Sequence, residues 1–181
     1  PGTMLQGKTK VGKNCTLGPD TQLTDVICGD GNHLNRVYAH SCELGDNNEI
    51  GPFVHLRPET CLHNDIKIGN FVEVKNSDVD DGTKLPHLIY CGDSDLGKNV
   101  NFGCGTVTVN FDGKNKHRCT IDEHAFIGCN TNLVAPVHVG ARAFTAAGST
   151  ITKDVPAKAL AVGRSKQVNI ENWVKEDTYK D

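Results

Sequence analysis

The chain carries an apolar side chain at every sixth position over long stretches. The longest unbroken run extends from Leu44 to Val74, and the spacing returns at Leu96 and between Ile121 and Ile151. A small residue often follows the apolar one, as in Ile50-Gly51 and Ile68-Gly69. A period of six fits neither an α-helix nor a heptad repeat, whereas short strands that bend at the small residue satisfy it. The pattern predicts an all-β parallel solenoid.

This solenoid is expected to form one domain over residues 4–155. At roughly 18 residues per triangular coil, the repeat leaves room for about eight coils, with Pro156 marking their end. The tail, residues 156–181, is expected to cover the last coil, with a short helix over residues 168–179. Residues 1–3 precede Met4, the only methionine, and look like a remnant of expression.

Three segments interrupt the rhythm: Asp25 to His40, Asp80 to Asp95, and Thr108 to Thr120. Interruptions of a solenoid are where loops carry function. The third contains Asn110-Phe111-Asp112-Gly113, which begins a turn, followed by a dense basic stretch. We expect this third segment, about 108–120, to project from the coil.

Composition and charge narrow the classes of partner. A formal net charge of -3 with mixed signs gives no general attraction to nucleic acid or to an anionic membrane. The absence of an apolar run of roughly 20 residues or of a signal-peptide core predicts a cytoplasmic protein. The eight cysteines contain no CxxC pair, so we expect reduced structural thiols rather than metal ligands or disulfides.

Residues outside the six-residue ladder resemble a known family, the acetyltransferase half of the bacterial bifunctional N-acetylglucosamine-1-phosphate uridyltransferases. The match runs in order from about Leu5 to Arg164. It is carried by Gly51–Pro58 (GPFVHLRP), Gly69–Lys75 (GNFVEVK), His87–Tyr90 (HLIY), Asn110–Lys116 (NFDGKNK), Leu133–Val137 (LVAPV) and Ala146–Thr150 (AAGST). A generic hexapeptide-repeat protein would share the ladder but not these residues.

The resemblance implies a left-handed parallel β-helix that forms a homotrimer with active sites between subunits. The implied reaction transfers acetyl from acetyl-CoA, the co-substrate, to the amine of glucosamine-1-phosphate on the route to UDP-N-acetylglucosamine and the cell wall. No metal is expected in this reaction. Because an amine is largely protonated near neutral pH, the reaction needs a base that works near pH 7, and His87 matches the family's catalytic histidine.

The resemblance also implies the binding residues. Sugar-phosphate contacts are expected from Arg57, Lys75, Tyr90, Asn101 and Lys116. Arg57 and Lys75 are separated by one full coil. In a regular solenoid they therefore lie on adjacent rungs, that is, on stacked strands of successive coils, and can clamp a phosphate.

Contacts to acetyl-CoA are expected from Asn110, Phe111, Cys129, Ala147 and Arg164. The chain departs from the family at two of these positions, since Phe111 stands where tyrosine is usual and Cys129 where serine is usual. We expect weak changes in affinity from both, because the aromatic surface and the backbone N–H groups remain.

Four alternatives remain open. The sequence does not decide whether the chain is part of a longer protein or a stand-alone acyltransferase that uses another amino sugar. A zinc carbonic anhydrase on the same solenoid would need three converging histidines, and His87 has no histidine at a neighbouring rung spacing. A solenoid that only trimerises would have no need of the polar set around His87.

Overall fold

The computed structural model describes residues 1–174, which contain strands and no helix. In chain order the strands are β1 (Met4–Gln6), β2 (Lys10–Val11), β3 (Thr16–Leu17), β4 (Gln22–Thr24), β5 (Ile27–Cys28), β6 (His33–Leu34), β7 (Val37–His40), β8 (Cys42–Leu44), β9 (Glu49–Ile50), β10 (Val54–Leu56), β11 (Thr60–Leu62), β12 (Lys67–Lys75), β13 (Asp78–Val79), β14 (Lys84–Gly92), β15 (Ser94–Leu96), β16 (Asn101–Phe102), β17 (Val107–Val109), β18 (Cys119–Ile121), β19 (Phe126–Ile127), β20 (Asn132–Val134), β21 (Val137–Val139), β22 (Phe144–Thr145), β23 (Thr150–Ile151) and β24 (Leu160–Ala161). None of the described residues forms a helix long and apolar enough to cross a membrane.

The strands stack into three faces, and every ladder between them is parallel. The first face holds β1, β4, β7, β10, the second halves of β12 and β14, β17, β20 and β23; the second face is the eight-stranded sheet from β2 to β21. The third face holds β3, β6, β9, the first halves of β12 and β14, β16, β19, β22 and β24. The chain is thus a parallel β-helix, and the predicted solenoid fold is confirmed.

The six-residue ladder forms the core because its members point inward from successive rungs. Leu56, Leu62, Ile68 and Val74 are all at most 2% exposed. Each rung is covered only by its neighbours, which is why the interior is one continuous column of apolar side chains. The repeat therefore fixes which side chains remain outside and available for chemistry.

The rungs are less regular than a repeat of constant length. Val54 lies beside Val72, and Val72 lies beside Ile89, so the second of these two coils is one residue shorter than the first. The ladder also continues beyond Pro156, since β24 pairs with β22. The expected end of the coils at Pro156 is therefore wrong by one strand.

Two of the three interruptions are ordinary coil. Residues 25–40 contain β5, β6 and β7, and residues 80–95 contain β14 and β15, all of them paired in the ladders. Shortened corners account for their irregular spacing. Only the third interruption leaves the coil, between the end of β17 at Val109 and the start of β18 at Cys119, and the rungs close again around it, with Val107 in register with Asn132.

All eight cysteines are free, as expected for structural thiols. Burial raises the pKa of Cys42 to about 11 and those of Cys28, Cys91 and Cys119 to about 12, so these four thiols stay protonated near neutral pH. The described part of the predicted tail helix, residues 168–174, is irregular, and residues 175–179 lie outside the described residues, so that the helix stays a prediction.

Candidate active site

The corner where the third face turns into the first carries one column of sequence-predicted residues. His87 lies beside Asn70 in the register of β12 and β14, and the pairings of β14, β16, β19 and β22 place Cys104, Cys129 and Ala147 on the following rungs. Each is followed by a left-handed residue, with φ of 51° at Leu88, 75° at Gly105, 54° at Asn130 and 72° at Gly148. We call this column the backbone corner.

His87 is exposed at the backbone corner and faces a groove on the third face. The same groove is lined by Asn70, Lys84 and Asn101. Among residues 1–174 no group hydrogen-bonds the His87 ring, so both of its nitrogens are available. A ring in this state can accept a proton from a ligand in the groove.

The backbone N–H groups of Cys104, Cys129 and Ala147 donate no hydrogen bond to any described residue, while the residues directly before and after each of them in the chain do. Glycines allow the rungs to approach this closely. A Cβ on Gly103 would lie 2.5 Å from the Cys129 nitrogen, and a Cβ on Gly128 would lie 2.7 Å from the Ala147 nitrogen. The corner thus presents a row of unused donors, which is the arrangement that receives carbonyl oxygens.

Arg164 lies at the end of this row. Its Cδ is 3.8 Å from the position that a Cβ on Gly148 would occupy, one residue beyond Ala147. Its side chain is exposed. The structure therefore brings a cation to the last rung of the backbone corner.

The opposite edge of the first face, where it turns into the second, holds a buried polar network centred on Asp93. The Asp93 side chain is 4% exposed and accepts hydrogen bonds from the amides of Asn76, at 2.5 Å, and Asn110. The Lys75 ammonium, 18% exposed, lies 3.7 Å from the same carboxylate. We call Lys75, Asn76, Asp93 and Asn110 the side-chain corner.

The protonation of this network is set by its contacts. Burial alone would raise the pKa of Asp93, but the bonds from Asn76 and Asn110 and the charges of Lys75 and Lys116 lower it below its ordinary value. The nearby Lys75 ammonium lowers the pKa of Lys116. The corner thus holds one carboxylate under two ammonium groups, which leaves positive charge for an anionic ligand.

Arg57 and Tyr90 flank the side-chain corner. The Arg57 guanidinium donates to Glu73 at 2.8 Å, and the Tyr90 hydroxyl accepts from the Asn110 amide at 3.3 Å. Space here is tight, because a Cβ on Gly92 would lie 2.5 Å from the Tyr90 hydroxyl. The expected placement of Arg57 and Lys75 on adjacent rungs agrees with the register of Leu56 beside Val74.

The segment that leaves the coil is an ordered hairpin. Asp112 accepts the backbone N–H groups of Lys114 at 2.7 Å and Asn115 at 2.6 Å and bonds the His117 ring at 2.8 Å. These bonds hold the pKa of Asp112 well below its usual range. Phe111 is bridged to Lys116 across the hairpin, and its ring is exposed. The hairpin therefore presents Phe111 and Lys116 from a preformed turn.

The structure gathers the predicted residues into two groups rather than one. Lys75, Tyr90, Asn110 and Lys116 meet at the side-chain corner, while His87 and Asn101 share the groove of the third face. The sequence reasoning missed Asp93, Glu73 and Cys104. Coil spacing could have found Asp93, which follows Lys75 by 18 residues, whereas Cys104 follows His87 by 17 residues and is found only when the rungs are stacked.

Two groups of three metal-binding side chains occur among the described residues, namely Cys61 with His63 and Asp78, and His63 with Asp80 and Asp81. Neither contains His87.

Comparison with known proteins gives close relatives over nearly the whole chain. This chain is 52% identical over 174 residues to the bifunctional protein GlmU of Geobacillus sp. (strain WCH70). It is 54% identical over 176 residues to the bifunctional protein GlmU of Caldanaerobacter subterraneus subsp. tengcongensis. The resemblance to GlmU proteins is confirmed. The match covers 96% and 97% of this chain, and in both cases 38% of the GlmU relative, which is its C-terminal part.

The GlmU match runs through both corners of the first face, since it spans nearly all of the chain. No family model matches the chain. Among solved structures, the polySia specific acetyltransferase NeuO aligns with 99% of this chain and 88% of its own, at 16% identity and a TM-score of 0.44.

Proposed function

We propose that the chain transfers acetyl from acetyl-CoA to the amine of glucosamine-1-phosphate. The observation that carries the proposal is the pairing of two corners on one face, in a chain about half identical to GlmU proteins. One corner offers an exposed histidine and unused backbone donors, and the other offers a cationic network. An acyl transfer to a sugar phosphate needs both.

His87 acts as the general base in this proposal. The amine attacks the thioester carbonyl and a C–N bond forms while His87 removes the amine's proton. The tetrahedral intermediate then collapses, the C–S bond breaks, and the departing CoA sulfur receives that proton. The proposal is supported by the exposed, unbonded ring of His87 beside the row of free N–H groups.

Acetyl-CoA is proposed to lie along the backbone corner. The N–H groups of Cys129 and Ala147, with that of Cys104, would receive the thioester oxygen and the amides of the pantetheine arm. Arg164, at the end of the row, would pair with a phosphate of CoA. Asn110 and Phe111 would contact the acetyl end from the hairpin.

The sugar phosphate is proposed to bind at the side-chain corner. Arg57, Lys75 and Lys116 supply the positive charge for the phosphate, and Tyr90 supplies a hydroxyl. Asp93 keeps Lys75 and Asn110 in place through the contacts described above. Asn101 would complete the sugar contacts from the third face.

A homotrimer is proposed because one chain does not bring all of these groups together. Asn101 lies on the third face, whereas Arg57 and Tyr90 belong to the first. Large apolar side chains are exposed along the edge between those faces, with Phe53 54%, Phe71 55% and Leu88 57% exposed, and the two phenylalanine rings stack at 5.5 Å. Such a patch favours a protein interface.

The test is a thiol-release assay with acetyl-CoA and a panel of amino sugars and their 1-phosphates, with the acetylated product identified by mass spectrometry. We expect glucosamine-1-phosphate to give the highest kcat/KM. His87→Ala should lower kcat by about 100- to 10,000-fold, the usual contribution of a positioned acid–base group. His124→Ala, a histidine outside both corners, serves as the matched control and should leave kcat unchanged.

The assay also separates the alternatives. A higher kcat/KM with another amino sugar would assign the chain to a related acyltransferase. Release of no thiol with any amine, with the oligomer intact, would favour a scaffold. Near-normal turnover by His87→Ala would contradict the role of His87.

A further inference from the structure

A second set of reactive side chains lies on the outer surface of the second face, which the proposed acetyl transfer does not use. In the parallel pair β11 and β13, Cys61 is in register with Asp78. Side chains two residues apart on a strand point to the same side. His63 therefore follows Cys61 on the outer surface, and Asp80 follows Asp78 beside it.

The ligand atoms of this set are already close together. The Cys61 sulfur, a ring nitrogen of His63 and a carboxylate oxygen of Asp78 all lie within 4.8 Å of one another. His63 Nε2 is 3.0 Å from Asp78 Oδ1. His63 also lies within 4.8 Å of carboxylate oxygens of Asp80 and Asp81, so two groups of possible ligands share one imidazole.

The two further carboxylates are not equivalent. Asp81 is engaged, because its oxygens accept from the Asn64 backbone and amide and from Lys98. Among the described residues Asp80 accepts only the backbone N–H of Asp81. Asp80 is thus the carboxylate that remains free to complete a fourth position.

The charges around Cys61 favour a cation. Glu43 and Asp78 occupy the rungs on either side of Cys61. Two carboxylates thus flank the Cys61 thiol, and both attract a positive ion. One thiolate and one carboxylate balance the charge of a divalent ion.

We propose that Cys61, His63 and Asp78 bind a zinc-class divalent metal ion, with Asp80 or water as fourth ligand. Sulfur, imidazole nitrogen and carboxylate oxygen are the donors that zinc takes in tetrahedral sites, whereas magnesium and calcium prefer oxygen alone. Binding forms a metal–sulfur bond and releases the thiol proton of Cys61 to solvent. The ion would tie two successive rungs of the second face together.

The sequence expectation of no metal ligands rested on the positions of the cysteines along the chain. His63 is close to Cys61 in the chain, but Asp78 belongs to the next rung, so the set exists only once the rungs are stacked. The same face carries a natural comparison: His138 Nε2 lies 2.9 Å from Asp122 Oδ2, but neither residue belongs to a group of three ligands within residues 1–174.

Cobalt titration of the full chain, freed of metal by a chelator, tests the proposal. Cobalt reports thiolate ligation through a sulfur-to-metal charge-transfer band in the near ultraviolet. We expect one equivalent of Co²⁺ to produce this band and one equivalent of Zn²⁺ to abolish it. Cys61→Ser should eliminate the band. His63→Ala should weaken Zn²⁺ binding by at least about 10- to 100-fold, since this loss of affinity is usual even for a residue that only contacts a metal ligand.

Two controls separate this site from adventitious thiol binding. Cys129→Ser removes the exposed cysteine of the backbone corner and should keep the band, and His138→Ala removes the histidine of the two-residue pair and should keep full affinity. A band that persists in Cys61→Ser, an affinity lowered equally by His138→Ala and His63→Ala, or no band at all would overturn the proposal.

Discussion

The two corners that bound the first face are built in opposite ways. At the backbone corner the useful groups are main-chain N–H donors, and the side chains of Cys104, Cys129 and Ala147 are small. At the side-chain corner the useful groups are ionised and hydrogen-bonded side chains around the buried Asp93. The first arrangement repeats on three successive rungs, whereas the second takes a different side chain from each of three rungs.

This difference predicts how each corner tolerates substitution. A change of side chain at the backbone corner leaves the N–H donor in place as long as the rung keeps its shape. A change at the side-chain corner removes a charge or a donor that nothing else supplies. Departures from the family at Cys129 and Phe111 are therefore expected to matter less than any change at Asp93.

Apart from the loss of His87, the largest effect is expected from Asp93→Ala. Loss of the carboxylate leaves the amides of Asn76 and Asn110 without their acceptor and Lys75 without its partner. Displacement of Asn110 and Lys75 should lower kcat/KM at least about 100-fold, as small misplacements of positioning groups do. Steady-state kinetics with both substrates measures this, and Asp81→Asn, which alters an exposed ion pair with Lys98, should change kcat/KM little.

The pH dependence of stability tests whether Asp93 stabilises the fold through its charge or through the space that its side chain fills. Because the pKa of Asp93 is lowered in the folded chain, its stabilising effect is present above the ordinary Asp pKa of about 3.9 and is lost as pH falls through the lowered value. The difference in Tm between the unsubstituted protein and Asp93→Asn should therefore be constant from pH 6 to 8. It should shrink below about pH 4. A difference that is independent of pH down to about pH 2 would show that charge is not involved.

The next effect is expected from Gly128→Ala at the backbone corner. The new Cβ would lie 2.4 Å from the Thr145 carbonyl oxygen and 2.7 Å from the Ala147 nitrogen, so the rungs must separate. We expect a loss of about 1–3 kcal/mol in stability, the usual cost of overpacking, with weaker acetyl-CoA binding. Thermal unfolding and calorimetric titration with CoA measure the two effects. Gly113→Ala, which meets no atom within 4 Å, should cost only the backbone strain of its positive φ of 96° and should leave the rungs in place.

The smallest effect is expected from Cys129→Ser. The exchange restores the side chain usual in the family and leaves the backbone N–H of residue 129 unchanged. We expect KM for acetyl-CoA to change by less than about threefold, which corresponds to under 1 kcal/mol. A tenfold change in that KM would mean that the side chain, and not the backbone, forms the contact.

The fold followed from the sequence because a six-residue period has one structural solution. The ladder from Leu44 to Val74 predicted the buried column, and the spacing of Arg57 and Lys75 predicted adjacent rungs. The six-residue spacing wrongly predicted interruptions of the coil at residues 25–40 and 80–95. A corner that is shorter by one residue shifts the period, but the chain stays within the coil.

The candidate site was only partly predictable for a physical reason. Asp93 bonds Asn76 and Asn110, and each of them is one residue closer along the chain than a regular coil would place it. The free N–H groups of Cys104, Cys129 and Ala147 carry no signature in residue type, because they are main-chain groups. The resemblance to the family predicted Cys129 and Ala147 as site residues. Cys104 was found only from the stacking of the rungs.

The most direct test of the two-corner account is the KM of each substrate in Lys75→Ala and in Gly128→Ala, measured below the melting temperature of both variants. We expect Lys75→Ala to raise KM for glucosamine-1-phosphate by at least about tenfold, or 1.4 kcal/mol, with little change for acetyl-CoA. Gly128→Ala should show the reverse. A rise in the same KM for both variants would contradict the assignment of one corner to each substrate.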